Sequence, residues 1–437
     1  MRLQKTILSL TLTAFIAAPA LAGELNVPPK GWKALFNGKD VDGWYGWSTK
    51  NPETLWSMTE DEQAAYKKES LKDINQHWSV KDGILVNDGY GLYLTSEAEF
   101  TNYELMIDYK TVAGADSGIY LKAVPQVQIW DSTDEKKFAI GGDKGSGGLW
   151  NNSKGAKGKD PLVLADKAFG EWNSFKIRQI GARTSVWLNG KMVVDNAIME
   201  NYFDRSRPIF PKGPIQLQTH GGEISWRNVF VREIGSDEAN KILRESSSSE
   251  GFESVFNGKD LSGWAGAVSE YEVVDGAIQC QKGKGGNLYT EQKYKDFVVR
   301  LEIKMPPAGN NGLAIRYPGN GNPAYQGMTE LQVLDTQYPG KLAPYQYHGS
   351  VYGLIPAARG YLYEAGNWNY EEVTVQGTKI KVELNGAVIL DADVAELAKD
   401  PAVLKKHPGL KLLEGHFGFA GHNDPVQFRN IEIKELK

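Results

Sequence analysis

The 437-residue chain contains a single cysteine, six histidines and no strongly basic stretch. Because Cys280 stands alone, it can form neither an internal disulfide nor a cysteine metal cluster. A formal net charge of −5 offers no basic surface to nucleic acid, so we expect no nucleic-acid partner. The sequence also lacks the phosphate-binding Gly-Lys-Ser/Thr loop, the His-Glu-x-x-His zinc motif and the Gly-x-Ser-x-Gly nucleophile elbow. These absences argue against nucleotide hydrolysis, zincin chemistry and serine-hydrolase chemistry.

The N-terminal apolar run is too short to span a bilayer. Arg2 and Lys5 precede it, it extends over residues 6–18, and Ala20-Leu21-Ala22 follows. This order is typical of a secretory signal, which we predict at residues 1–22. No cysteine follows the cleavage site, so we expect no membrane anchoring after signal cleavage. The predicted location of the product is the periplasm or the medium outside the cell.

Several short motifs occur twice in the same order, about 200 residues apart. An ordered set of matches at this spacing indicates two copies of one domain. We predict a first copy at residues 23–235 and a second copy at 252–437. The linker at 236–251 could contain a short helix at 237–245. The matched motifs are 35–40 with 255–260, 43–44 with 263–264, 82–83 with 275–276, 188–190 with 384–386, and 226–228 with 428–430.

Within each copy, short runs alternate apolar and polar residues and are separated by Gly and Asn turns. This period of two, as in residues 175–180 and 379–384, indicates antiparallel strands with one buried face. The predicted fold class is therefore all-β, with two tandem jelly-roll-like β-sandwiches. The copies are offset by 220 residues at the first motif but by 193 at the Asp-Gly motif, so the first copy is longer. Its extra segment includes a helix-like span at 59–75, which we expect to shape a binding site or to cover a sheet edge.

The clearest candidate site precedes the Arg-Asn motif of the first copy. Gln216, Gln218 and His220 alternate with apolar residues, so a strand would place two amides and an imidazole in one row. Such a row suits the hydroxyls of a sugar, and the imidazole could move protons near neutral pH. In the second copy His422 replaces His220, whereas a glycine and an alanine replace the two glutamines. The alternative interpretation is a solvated face with a structural histidine.

A second candidate window lies on a strand near the middle of each copy. Gln126 and Gln128 share one face in the first copy, and Glu330 and Gln332 share it in the second. Glu330 is the most credible carboxylate acid or base of the second copy. It has no carboxylate counterpart in the first copy, where the equivalent residue is Gln126.

A third window follows a Gly-rich turn. Trp150 could stack on a sugar ring and Asn151 could orient it; His348 and Tyr352 occupy the corresponding region of the second copy. We expect no cofactor and no metal in the first copy, which has only two histidines. An alternative for the second copy is a divalent metal bound by His348, His416 and His422, with Glu330 as a fourth ligand.

The chain resembles the 3-keto-disaccharide hydrolase domain family. The resemblance rests on the Phe-Asn-Gly-Lys-Asp…Gly-Trp opening, on residues 118–120, on Leu-Asn-Gly and on the closing Arg-Asn-Val/Ile, and it covers both copies. It implies a concanavalin-like β-sandwich and the cleavage of oxidised (3-keto) disaccharides or glucosides. The first copy has the fuller pattern, whereas the second departs from it at Gly418 and Ala420.

The implied substrate suggests a mechanism. A ketone at C3 of a glucoside acidifies the C2 proton, so a base can remove it, the C1 substituent can leave, and hydration completes a net hydrolysis. Such an enzyme needs a base and a donor for the enolate oxygen, for which His220 with Gln216 and Gln218 are the candidates. Two alternatives remain: a non-catalytic carbohydrate-binding tandem module, or activity in the second copy through Glu330, His348 and His422.

Overall fold

The computed structural model describes residues 24–437, and the predicted signal at 1–22 lies outside them. Among the described residues, no helix is both long and apolar enough to cross a membrane. Residues 24–437 form four antiparallel sheets, two in each copy. This arrangement confirms the prediction of two tandem β-sandwiches.

Within the described residues, the first copy contains thirteen strands and two α-helices before the linker. One sheet has the order β11-β10-β9-β6-β13-β4-β3, with β1 beside β13, and the other has the order β2-β5-β12-β7-β8. The elements are β1 (Lys33–Ala34), β2 (Trp44–Trp47), α1 (Glu53–Trp56), α2 (Glu60–His77), β3 (Trp78–Lys81), β4 (Ile84–Asn87), β5 (Tyr93–Phe100), β6 (Tyr103–Thr111), β7 (Asp116–Leu121), β8 (Val124–Trp130), β9 (Asn173–Ile180), β10 (Arg183–Leu188), β11 (Lys191–Ile198), β12 (Gly213–Leu217) and β13 (Ile224–Glu233).

The second copy repeats this topology strand for strand. Its sheets have the orders β24-β23-β22-β19-β26-β17-β16, with β14 beside β26, and β15-β18-β25-β20-β21. The elements are α3 (Ser236–Ser246) in the linker, then β14 (Glu253–Ser254), β15 (Trp264–Gly266), β16 (Tyr271–Val274), β17 (Ala277–Cys280), β18 (Gly285–Tyr294), β19 (Phe297–Lys304), β20 (Asn310–Tyr317), α4 (Pro323–Gln326), β21 (Thr329–Leu334), β22 (Trp368–Gln376), β23 (Lys379–Leu384), β24 (Ala387–Asp393), α5 (Pro401–Lys406), β25 (Gly415–His422) and β26 (Gln427–Glu435).

The hydrophobic core of each copy lies between its two sheets. In the first copy Ile119 and Leu217 of the five-stranded sheet belong to the same buried cluster as Ile107 and Trp226 of the larger sheet. Burial of such side chains stabilises the fold by roughly 25 cal/mol per Å² of apolar surface. Since alternate residues of a strand face opposite sides, the polar neighbours of these residues lie on the outer face of the five-stranded sheet.

The extra segment of the first copy covers the edge of its five-stranded sheet. Helix α2 begins with a capping box between Thr59 and Glu62. The backbone N–H of Gly46, on edge strand β2, donates to Ser70 Oγ of this helix at 2.9 Å. The structure thus confirms the predicted helix and favours the sheet-edge role, because an uncovered edge strand would leave its N–H groups free to pair with another chain.

The linker contains the predicted helix, α3, and the helix packs between the two copies. Its Leu243 lies in one buried cluster with Ile180 of the first copy and Tyr370 of the second. Nearby, Arg183 forms two hydrogen bonds with the buried carboxylate of Glu383, of 2.7 and 2.6 Å. The two sandwiches therefore contact each other directly through apolar and charged groups.

Candidate functional site

The five-stranded sheet of the first copy carries polar side chains on its outer face. Gln126 and Gln128 of β8 lie on this face, and Gly118 of β7 is the register partner of Gln128. Tyr120 is the register partner of Gln216 on β12, so side chains from three strands meet here. We call this surface the first polar face; its residues are Asp116, Tyr120, Gln126, Gln128, Gln216 and Gln218.

A chain of hydrogen bonds crosses the first polar face and ends on a carboxylate. Gln126 donates through Nε2 to Gln128 Oε1, and Gln128 Nε2 donates to Asp116 Oδ1 at 2.9 Å. Both glutamines are at least 95% buried, so their amides are held in fixed orientations. Asp116 was not among the residues predicted from the sequence, although its alternation with Gly118 and Tyr120 could have indicated it.

The other oxygen of Asp116 contacts two basic groups. His220 Nδ1 lies 3.3 Å from Oδ2, and Lys137 Nζ, from the 3₁₀ helix Glu135–Ile140, lies 3.0 Å from it. The hydrogen bond to Asp116 raises the pKa of His220 and outweighs the opposing effect of burial. Burial alone would raise the pKa of Asp116, but its hydrogen bonds with His220 and Lys137 lower that pKa below the usual range. The result is an ionised carboxylate that orients an exposed imidazole.

The row of Gln216, Gln218 and His220 is only partly a strand, in contrast to the prediction. Strand β12 ends at Leu217, and His220 lies in the loop that follows, where Gly221 has a φ of +97°. Gln216 is fully buried and donates to Thr95 Oγ1 at 3.0 Å. It can therefore position its neighbours but has no exposed surface of its own.

Aromatic side chains extend the first polar face beyond Asp116. Trp130 is the register partner of Asp116, and its ring lies edge-on to that of Trp150 with centroids 6.0 Å apart. Trp150 is partly exposed and donates from Nε1 to the carbonyl oxygen of Ile140 at 3.3 Å. The neighbouring Asn151 is held through its backbone oxygen, which accepts from Arg205 Nη2 at 2.6 Å. Trp150 thus packs against the ring of Trp130, the register partner of Asp116.

The equivalent surface of the second copy, the second polar face, contains a small cavity. Gln332 donates through Nε2 to Asn310 Oδ1 at 2.7 Å, in the position where Gln128 bonds to Asp116. Glu330 and His422 line a cavity of about 280 Å³. Burial raises the pKa of Glu330 to about 8. Burial also lowers the pKa of His422, an effect that the nearby Asp424 partly offsets.

His348 and Tyr352 do not join Glu330 and His422 in this cavity. His348 is buried: its Nε2 lies 2.8 Å from Glu371 Oε2, and its Nδ1 accepts from the backbone of Leu334 at 3.3 Å. Tyr352 donates its backbone N–H to the Glu330 carbonyl at 3.0 Å, while its hydroxyl accepts from Gln346. Both residues therefore support the fold beside the cavity instead of lining it.

The alternative of a metal bound by the second-copy histidines is wrong for the described residues. His416 Nδ1 bonds to the carbonyl oxygen of Thr290 at 2.6 Å, and His348 is engaged by Glu371. Within residues 24–437, no three His, Cys, Asp or Glu side chains are grouped so as to hold a metal ion. The physical reason is that the imidazoles of His348 and His416 are directed to different partners in the fold.

Comparison with known proteins identifies the family. The model of the 3-keto-alpha-glucoside-1,2-lyase-like domain matches residues 31–232 and again residues 251–434. The chain belongs to this family. The two matched regions coincide with the two sandwiches, each with its own polar face.

Individual relatives cover about two fifths of this chain. A 3-keto-disaccharide hydrolase of Bacteroides thetaiotaomicron is 29% identical over 229 residues, which cover 43% of this chain and 79% of the relative. A crystal structure from Parabacteroides distasonis, described as a candidate glycosyl hydrolase, is 23% identical, covers 43% of this chain and 96% of its own, and gives a TM-score of 0.37. A carbohydrate-binding module, CBM66 of Bacillus subtilis, is 13% identical, covers 40% and 96%, and gives a TM-score of 0.26. The name of the Bacteroides thetaiotaomicron relative supports a hydrolase-like function on glycosidic bonds.

The two copies carry their carboxyl groups on different strands of their equivalent sheets. The first copy has Asp116 on β7 and Gln126 on β8. The second copy has the amide Asn310 on β20 and the carboxyl Glu330 on β21. Basic partners keep the Asp116 carboxyl ionised, whereas the Glu330 carboxyl is buried without such partners and keeps its proton at pH 7. The two polar faces therefore differ in charge.

A glycine on β7 makes room for the first polar face. A Cβ atom at Gly118 would lie 2.9 Å from Gln126 Cδ, closer than real Cβ contacts allow. We expect Gly118→Ala to displace the buried Gln126. The rate of glycoside cleavage should then fall about tenfold or more, because a small displacement of a side chain that positions the substrate lowers the rate strongly. Steady-state kinetics with circular dichroism as a folding check will measure this effect. The control is Gly235→Ala, where a Cβ meets nothing within 4 Å; equal losses in both variants would contradict the role of Gly118.

Proposed function

We propose that the protein cleaves the glycosidic bond of 3-keto disaccharides or glucosides on the first polar face. The observation that carries this proposal is the contact of His220 and Lys137 with the Asp116 carboxylate. The family match and the name of the Bacteroides relative support the substrate class. The signal-like residues 1–22 support a location in the periplasm or outside the cell.

In this proposal His220 is the base that removes the C2 proton made acidic by the C3 ketone. Asp116 accepts a hydrogen bond from Nδ1, which leaves Nε2 free to take the proton and stabilises the imidazolium that forms. The C1–O bond then breaks and the departing oxygen takes the proton from the imidazolium. Water completes the reaction, with its hydroxyl added at C1 and a proton at C2. One glycosidic bond and one water molecule are consumed.

Other residues on and beside the first polar face bind and orient the sugar. Gln218 lies within 3.5 Å of the Tyr93 and Tyr120 hydroxyls, so its amide can hold sugar oxygens together with them. Lys137 places a positive charge beside the site where the enolate oxygen develops, which lowers the barrier to proton removal. Trp150 offers a partly exposed ring on which a sugar or its leaving group can stack.

A second candidate function is carbohydrate binding without cleavage. The amides and the exposed ring of Trp150 serve binding equally well, whereas the contact between His220 and Asp116 is needed only for proton transfer. The two functions therefore differ in their dependence on His220.

The deciding experiment incubates the purified mature protein with a 3-keto glucoside and with its unoxidised parent in deuterated water. Cleavage of the keto sugar alone, with deuterium at C2 by NMR, supports the proposed elimination and hydration. Binding of the keto sugar without turnover would favour the binding module instead. Cleavage of the parent sugar at a similar rate would reject the requirement for the ketone.

A further inference from the structure

Glu330 is a buried carboxyl group without a partner. Glu330 is 3% exposed, and burial alone accounts for the rise of its pKa. No side chain in residues 24–437 forms a hydrogen bond or an ion pair with its carboxyl group. A lone buried carboxyl costs free energy, so its retention calls for a compensating contact.

The cavity beside Glu330 exists because the second copy lacks the amide row of the first. Ala420 lines the cavity at the position that Gln218 occupies in the first copy. On β20, Gly312 leaves the space that the Glu330 side chain fills, since a Cβ atom there would overlap the carboxyl group. The cavity wall also contains the uncharged amides of Asn287 and Asn322 and the apolar ring of Pro323.

We propose that this cavity is a second sugar site, which takes one uncharged ring and holds it through the carboxyl group of Glu330. Its volume of about 280 Å³ is near the lower limit of small-molecule pockets, roughly 300 Å³, and suits a single pyranose better than a disaccharide. Asn287, Asn322 and His422 offer donors and acceptors for ring hydroxyls. The inference goes beyond the proposed function, because it concerns the second copy and requires no cleavage.

The protonation states of the cavity fit an uncharged ligand. With a pKa of about 8, Glu330 carries its proton at pH 7 and can donate a hydrogen bond to a sugar oxygen. Burial lowers the pKa of His422, so this imidazole is neutral at that pH. The other titratable groups around the carboxyl are Tyr325 of α4, Tyr352 of the adjoining segment and Asp424, which acts on His422. No lysine or arginine is among the described residues that line the cavity.

The six histidines of the chain permit a direct test. The full-length protein is titrated with 3-keto-glucose and with D-glucose at pH 7 and pH 9, and the histidine Cε1–H resonances are followed by NMR. His422 reports the cavity and His220 the first polar face, so the two surfaces are observed separately in one sample. We expect at least one of the sugars to shift the His422 signal at pH 7. The affinity of the protein for that sugar should fall about tenfold at pH 9, one unit above the pKa of Glu330. At that pH the ionised carboxyl group can no longer donate a hydrogen bond to the sugar.

Two variants make the test specific. Glu330→Gln keeps the shape and an N–H donor but cannot ionise, so binding should persist and become independent of pH. Glu396→Gln removes an exposed carboxyl of the same copy and should retain the wild-type pH dependence. Absence of any His422 shift with millimolar sugar, or an unchanged pH dependence in Glu330→Gln, overturns the proposal. Since no turnover is measured, these outcomes are independent of whether the first copy cleaves its substrate.

Discussion

Replacing His220 by alanine is expected to lower the turnover of a 3-keto glucoside by a factor of about 10²–10⁴, the usual contribution of a general acid–base group. In the proposed mechanism this imidazole both takes the C2 proton and returns a proton to the leaving oxygen. The residue is exposed and its backbone lies in a loop, so the fold should tolerate the change. Initial rates with the keto sugar and thermal unfolding of both proteins provide the comparison.

The other histidine of the first copy is the matched control for this variant. His77 contacts Asp88 at 3.0 Å at the end of α2 and is not part of the first polar face. His77→Gln should therefore retain the wild-type turnover. Full activity in a folded His220→Ala protein would assign proton transfer to another group and remove the main support for the proposed site.

Asp116→Asn tests the orienting carboxylate by its effect on the pH profile. The hydrogen bond to Asp116 is the main cause that raises the pKa of His220, and the base form of His220 is active. Loss of the carboxylate should lower this pKa, so the rise of kcat/KM with pH should move to lower pH while its plateau falls. A purely structural role for Asp116 would lower the plateau without moving the rise.

Structural features that depend on the local alternation of residues, or on the spacing of the repeated motifs, could be predicted from the sequence. Alternation along β8 placed Gln126 and Gln128 on one face, and the offset between the copies located the segment that forms α2. Lys137 could not be predicted in this way, because it reaches Asp116 from a 3₁₀ helix 21 residues further along the chain. A contact of this kind depends on the tertiary path of a loop, which periodicity does not encode.

The cavity of the second copy likewise could not be predicted from the sequence of either copy. The substitution of Ala420 for Gln218 could be read as a simple loss of binding groups. Only the packed sheet indicates that the missing amide leaves a space, and that the buried carboxyl of Glu330 faces it. Burial also raises the pKa of this carboxyl to about 8, so that it retains its proton at pH 7.

A fully buried lysine lies at the turn between β7 and β8, the hairpin that carries much of the first polar face. Lys122 Nζ donates to the carbonyl oxygen of Gly181 at 2.9 Å, and within residues 24–437 no carboxylate pairs with it. Burial lowers the pKa of Lys122 to about 7. The equivalent residue of the second copy, Arg316, is also fully buried but lies 2.8 Å from a carboxylate oxygen of Asp296.

This lysine should make the stability of the first copy rise with pH. Its pKa is about 7 when folded and 10.5 in the reference state, so the unfolded chain binds more protons between these values. The free energy of unfolding should therefore increase across this window by up to about 1.4 kcal/mol per pH unit. Below pH 7 both states are protonated and the cost of burying the charge is constant. Lys122→Met carries no titrating group and should remove this increase.

Denaturant unfolding followed by tryptophan fluorescence will measure the effect, since ten of the 12 tryptophans precede residue 236. Between pH 7.5 and 9.5 the wild-type protein should gain about 2–3 kcal/mol relative to Lys122→Met. Lys72→Met, which removes an exposed lysine of α2, should follow the wild type. Parallel pH profiles for wild type and Lys122→Met would mean that the Lys122 ammonium is solvated in the folded protein. In that case the Lys122–Gly181 hydrogen bond would stabilise the turn, and burial of the ammonium charge would not destabilise the folded protein.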